Sequence, residues 1–123
     1  MRPHPLEFRF YYFTPNYDAV VAFYRDGLGL EIVSAWNRGP EDRGTVFRSP
    51  NGVGMIEVEF GQDVRPPQGG VYVEVEDVDV WYEKAVRKGL GISQPISDTT
   101  YGHRTFKLAD PDGLEIGFFT PIP

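Results

Sequence analysis

Four acidic side chains stand on short alternating runs of this sequence, at positions where carboxylates hold metals, trade protons or meet cations. Glu57 and Glu59 lie in "MIEVEF", Glu74 in "GVYVEVE" and Glu115 in "LEIGFF". Arg9 and Tyr11 alternate in the same way in "FRFYYF". Met55, Tyr72 and Phe119 share the phase of the acids in their own runs. Tyr101 and His103 fall together in "YGHRTF", and the other histidine, His4, sits in a Pro-flanked N-terminal tail. There is no cysteine, which removes disulfides, thiolate metal sites and a Cys nucleophile.

A period of two means strands, and alternate residues share one face. One parity then collects Arg9, Tyr11 and Phe13; Met55, Glu57 and Glu59; Gly70, Tyr72 and Glu74; and Glu115, Gly117 and Phe119. The other parity is apolar: Phe8, Phe10, Tyr12, Ile56, Val58, Phe60, Val71, Val73, Val75, Ile116 and Phe118. The second set is expected to be the core, covered by helices. The first set is expected to be an open face.

The elements that position these residues are written twice. Gly27-Leu28-Gly29-Leu30 returns as Gly89-Leu90-Gly91-Ile92, and Ser49-Pro50-Asn51-Gly52 as Asp110-Pro111-Asp112-Gly113. Offsets of 62 and 61 residues agree to within one position, which marks a duplicated module. In the first half, strand 6–13 leads to a helix that Thr14 caps with Pro15 at its first position and Gly27 stops. Strands follow at 30–37, 43–48 and 53–60. In the second half, strand 70–76 leads to a helix capped by Asp77 and closed by Gly89, with Val78, Trp81, Tyr82, Ala85 and Val86 inward. Strands near 91–96, 103–109 and 114–120 complete it. The Asp-Pro-Asp-Gly stretch is a type I turn. The predicted organisation is a single α+β domain, 1–123, made of two tandem βαβββ modules (about 6–60 and 70–120) joined by linker 61–69. One helix covers one face of each mixed sheet, so the bare faces curl into a shared trough where a ligand sits.

Composition narrows the partners. The chain has 123 residues and a net charge of −6, which argues against nucleic acid. No apolar run has the ~18 residues of a membrane span, and the N-terminus lacks the apolar segment of a signal peptide. The expected setting is the cytoplasm, with no membrane partner.

The stretches "FYRDGLGLEIV" (23–33) and "DPDGLEIGFF" (110–119), set in paired βαβββ modules, resemble the vicinal oxygen chelate superfamily. That group includes glyoxalase I, bleomycin-resistance proteins and extradiol dioxygenases. The resemblance implies four metal-ligand positions, on the first and fourth strand of each module, usually His, Glu or Gln. In this chain they fall on Arg9, Glu57, Gly70 and Gly117. A guanidinium does not deprotonate to bind metal, and glycine offers no side chain. The set looks most like the metal-free, bleomycin-resistance-like branch, and no cofactor is expected.

Arg9 and Glu57 are expected to pair in place of a metal, and Gly70 and Gly117 to open volume. The ligand-binding set is then Arg9, Tyr11, Met55, Glu57, Glu59, Tyr72, Glu74, Tyr101, His103, Glu115 and Phe119, with Trp36 nearby. These side chains suit a flat aromatic guest, a cationic one above all, although the aromatics also fit ordinary packing in a small dimer. The leading reading is a metal-independent small-molecule binding protein acting as a homodimer. The alternative is a metal-dependent lyase, isomerase or dioxygenase using Glu57, Glu115 or His103. A third is metal-free acid–base chemistry by Glu57 with Tyr101 or His103. His103 also reads simply as a loop residue at the trough mouth.

Overall fold

Alternation does become strands, and the helical patterns fall between them. A computed structural model describes residues 7–65 and 68–123. The order is β1 (Arg9–Thr14), α1 (Tyr17–Ala22) running into a π-helical turn (Phe23–Gly27), β2 (Ile32–Asn37), β3 (Arg43–Arg48) and β4 (Met55–Phe60). It repeats as β5 (Gly70–Glu74), α2 (Val78–Arg87), β6 (Ile92–Asp98), β7 (His103–Ala109) and β8 (Glu115–Pro121). The strands form two four-stranded mixed sheets, ordered β1-β4-β3-β2 and β5-β8-β7-β6. The fold is α+β, and each half has the same strand order. His4 and Leu6 lie outside the described residues, as do Pro66 and Pro67 of the linker. No helix among the described residues is long and apolar enough to cross a membrane.

The apolar parity makes one buried core shared by both halves. Tyr12, Val58, Val73, Ile116 and Phe118 from the strands meet Val20, Tyr24, Val78 and Ala85 from the helices. Burying side chains of this size is worth about 1.5–3 kcal/mol each. Ring geometry defines the α2 side: Phe106 and Phe118 stack at 4.9 Å, Trp81 stacks on Phe118 at 5.4 Å, and Tyr82 meets Phe106 edge-on. Two residues assigned to this core lie outside it. Phe8 precedes β1 and is 78% exposed, and Val86 is exposed on the outer side of α2.

The helix ends differ from the expected caps in one module and match in the other. Asp77 accepts the Asp79 amide at 3.1 Å and caps α2, and Gly89 adopts the left-handed φ of 66° beyond its end. Thr14 instead ends β1 and accepts the Asn16 amide at 2.9 Å, and Asn16 is the N-cap of α1. Gly27 belongs to the π-helical turn, and the left-handed residue is Gly29, φ 70°. Gly27 is small for another reason: a Cβ there would stand 2.8 Å from Leu90 of the other module.

The turn at 110–113 joins the halves. The Gly113 amide donates to the Asp110 carbonyl, which closes the turn. The buried Asp110 carboxyl accepts from the amides of Asp112 and Leu114 and from the hydroxyls of Tyr12 at 2.6 Å and Tyr24 at 3.3 Å. Burial above all, with the nearby acid, holds both phenols far above their ordinary pKa, so both remain donors. Three more links run alongside. Asn16 donates to Asp112, Lys84 to the Leu28 carbonyl, and Asn51 to the Glu74 carbonyl.

Candidate functional site

Register places the polar parity in rows across each sheet. In the first, Arg9 stands beside Met55, Tyr11 beside Glu57 and Phe13 beside Glu59. β3 extends the rows, with Val46 opposite Glu57 and Gly44 opposite Glu59. Trp36 of β2 lies flat over Gly44: a Cβ on that glycine would fall 2.2 Å from two indole carbons. The indole Nε1 donates to Asp42 at 3.1 Å, which sets the ring's direction. Glycine under an aromatic ring regains by contact what its missing side chain loses.

The expected Arg9–Glu57 pair is present. Arg9 donates to Glu57 at 2.5 Å and also reaches Glu7 at 2.6 Å. The Arg9 side chain is 35% exposed and that of Glu57 13%, so water screens the pair and its worth is about 1 kcal/mol. Glu57 and Glu59 stand two residues apart on the same face of β4. Partial burial would raise Glu57, but bonds from Glu59 and Arg9 outweigh it and hold its carboxyl low. Glu59 takes the opposite course. Burial and the adjacent Glu57 push it up to about 7.

The second sheet presents mainly rings. Tyr72 stands beside Gly117 in the β5–β8 register and lies over it. A Cβ on Gly117 would be 2.5 Å from two Tyr72 ring carbons. A Cβ on Gly70 would sit 2.3 Å from the Glu115 carbonyl oxygen. The two glycines therefore do not open volume as expected. One is a seat for Tyr72 and the other permits close strand approach. Phe119 stacks with His103 at 4.3 Å and meets Tyr72 edge-on at 6.2 Å, and Tyr101 packs edge-on against His103. Lys107 lies 5.3 Å from the Tyr72 ring centroid, and contact with the Tyr72 hydroxyl raises its pKa. Glu115 accepts from Ser93 at 2.9 Å.

The proposed residues thus fall into two groups and two outliers. Arg9, Met55, Glu57 and Glu59 form one polar cluster flanked by Tyr11, and Tyr72, Phe119, His103 and Tyr101 form one aromatic cluster. Glu115 stands at the rim with Ser93, and Glu74 borders a separate open groove beside Asn51 and Val80. Among the described residues, no hydrogen bond, ion pair or aromatic contact joins the two groups. The links between modules run through the Asp110 turn, α2 and the 49–52 turn instead. An apolar cleft of about 230 Å³ runs between β1 and β5, lined by Phe10, Met55, Val71 and Tyr72 among others. Lys107 and Ser93 are partners that strand parity on four runs did not reach, whereas Glu7 shares the phase of Arg9 in the expected 6–13 strand. Extending the alternation to β7, where His103, Thr105 and Lys107 share a phase, finds Lys107.

Residues 4–118 match the family model described as the Glyoxalase/Bleomycin resistance protein/Dioxygenase superfamily. No curated protein sequence shows significant similarity to the chain. Solved structures share the fold at low identity. TioX from Micromonospora sp. ML1 is 18% identical with a TM-score of 0.81, covering 96% of this chain and 100% of its own. TnmS3, an antibiotic binding protein from Streptomyces sp. CB03234, is 19% identical with a TM-score of 0.77, covering 98% and 99%. Lactoylglutathione lyase from Agrobacterium tumefaciens is 20% identical with a TM-score of 0.72, covering 97% and 95%. A binder and a lyase on one fold leave the choice of function to the site.

Proposed function

Because the chain belongs to the glyoxalase/bleomycin resistance protein/dioxygenase superfamily, we propose that it is a metal-independent small-molecule binding protein. The observation that carries this reading is the fate of the four chelating positions. Arg9 is a permanent cation bound to Glu57, Gly70 abuts backbone, and Gly117 lies beneath Tyr72. Among the described residues, no three His, Asp or Glu side chains gather to hold a metal. One carboxylate already satisfied by a guanidinium does not fit a divalent cation, which needs several such donors. What remains is a surface of rings, an arginine and acids, which recognises flat guests by stacking and charge. The antibiotic-binding neighbour supports the same direction.

The reading includes a homodimer. Tyr11, Phe13, Tyr72 and Tyr101 are 62%, 42%, 60% and 70% exposed in one chain, while the cross-module links occupy the turns and helix ends. A second copy setting its aromatic face over the first copy's acidic face covers both and completes the trough. Elemental analysis of protein purified without chelator, with sedimentation and a thermal-shift screen of aromatic antibiotics, tests the proposal. The expected result is a metal-free dimer stabilised by a planar compound. A stoichiometric transition metal whose removal abolishes a lyase, isomerase or dioxygenase activity refutes it.

A further inference from the structure

Glu59 holds a particular place on the first sheet. Phe13 is its neighbour on β1, Gly44 its neighbour on β3, and Trp36 covers Gly44. Neighbouring strands lie ~4.8 Å apart, so Glu59 stands in one cross-sheet row between Phe13 and the glycine that Trp36 covers. Among the described residues no cation is within ion-pair distance of it. A carboxylate with a ring on each side matches an organic ammonium. The acid takes the charge, and the rings take the N–H and adjacent C–H groups.

We propose that Glu59, between Phe13 and Trp36, is the subsite for a protonated amine on the ligand. The inference rests on the reading that this face binds a small molecule. The nearby Glu57, which with partial burial holds the Glu59 carboxyl up, fits the same reading, because two adjacent acids favour a positive particle beside them. In the free protein that particle is a proton, and a bound ammonium replaces it.

The charges around Glu59 define the linkage. On its own strand stands Glu57. From β1 come Arg9, committed to Glu57 and Glu7, and Tyr11. Asp42, before β3, pairs with Arg38, whose guanidinium lies 5.9 Å from the Trp36 ring centroid. Arg43 turns to the opposite face, over Tyr17 and Phe60, and Arg48 pairs with Glu31. None of these cations neutralises Glu59, which titrates at about 7. Its ionised fraction rises from about 0.1 at pH 6 to about 0.9 at pH 8, so amine affinity rises about tenfold over that range.

A matched pair of probes tests this: 2-(2-naphthyl)ethylamine and 2-(2-naphthyl)ethanol, titrated calorimetrically at pH 6 and pH 8. The amine is expected to bind the wild type about tenfold tighter at pH 8, while the alcohol is indifferent to pH. Glu59→Gln is expected to flatten the amine's pH dependence. On the wild type, carboxyl NMR is expected to show the Glu59 midpoint falling when amine is bound. Equal, pH-flat binding of both probes overturns the subsite and leaves the binding reading intact. An amine preference that survives Glu59→Gln overturns the assignment to Glu59. Failure of both probes to bind overturns the binding reading and the subsite with it.

Discussion

Replacing Asp110 with alanine is expected to loosen the joint between the two modules. Asp110 is 4% exposed, and its carboxyl accepts four hydrogen bonds, two from amides of its own turn and two from Tyr12 and Tyr24. Deleting it strands those donors. Water reaches the Asp112 amide, which is only half-buried, but Leu114 and both phenols are buried. A buried orphan donor costs about 1–3 kcal/mol. Three give a range of about 3–9 kcal/mol, and the 3.3 Å Tyr24 contact together with water entering the vacated space puts the expectation near ~4 kcal/mol. A domain of this length is stable by only about 6–18 kcal/mol, so the loss is a large share. Tyr12→Phe alone removes one bond to a charged acceptor and is expected to cost about 2 kcal/mol. In the Asp110→Ala background the same change is expected to be neutral or stabilising, because it deletes an orphan. Urea unfolding followed by circular dichroism at pH 7 measures all four corners of the cycle. A cost below about 1 kcal/mol for Asp110→Ala, or single effects that add within about 0.5 kcal/mol, would refute the argument.

Two further outcomes follow from the site. Gly117→Ala puts a Cβ 2.5 Å from the Tyr72 ring, so the ring must swing off its seat. The expected cost is about 1–3 kcal/mol in urea, with a changed near-ultraviolet dichroism, and an unaltered spectrum would show that Tyr72 does not rest there. Glu59 carries a sign for stability against pH. Its folded pKa of about 7 exceeds the ordinary 4.5, so between those values the folded chain holds a proton that the unfolded chain has lost. Stability therefore falls as pH rises from about 4.5 through 7, by about 1 kcal/mol once solvent screening is discounted. Glu59→Gln is expected to remove that fall, making the variant the more stable protein at pH 8 and equal at pH 4.5. Parallel curves for variant and wild type across the range would contradict it.

Local pattern was enough to identify much of this protein. The Gly-Leu-Gly and Pro-x-Gly repeats announced two like modules, because turns and helix stops depend on a few adjacent residues. Alternation sorted each strand into two faces, because side chains in a strand alternate whatever it pairs with. That sufficed to set Arg9, Glu57 and Glu59 on one surface, and the ligand positions implied by the family resemblance matched Arg9 with Glu57. Tertiary structure decided everything that depends on neighbours distant in the chain. Gly117 and Gly44 read as gaps in a strand until register brings Tyr72 and Trp36 over them. Asp110 reads as a turn residue until the halves close and two phenols from the other module complete its bonds. Gly27 likewise reads as a helix stop until the packed modules bring Leu90 beside it, while the left-handed residue after the π-helical turn is Gly29. Periodicity along one strand says which way a side chain points. Only the packed sheets say what it meets, because a contact is a property of two segments and their register.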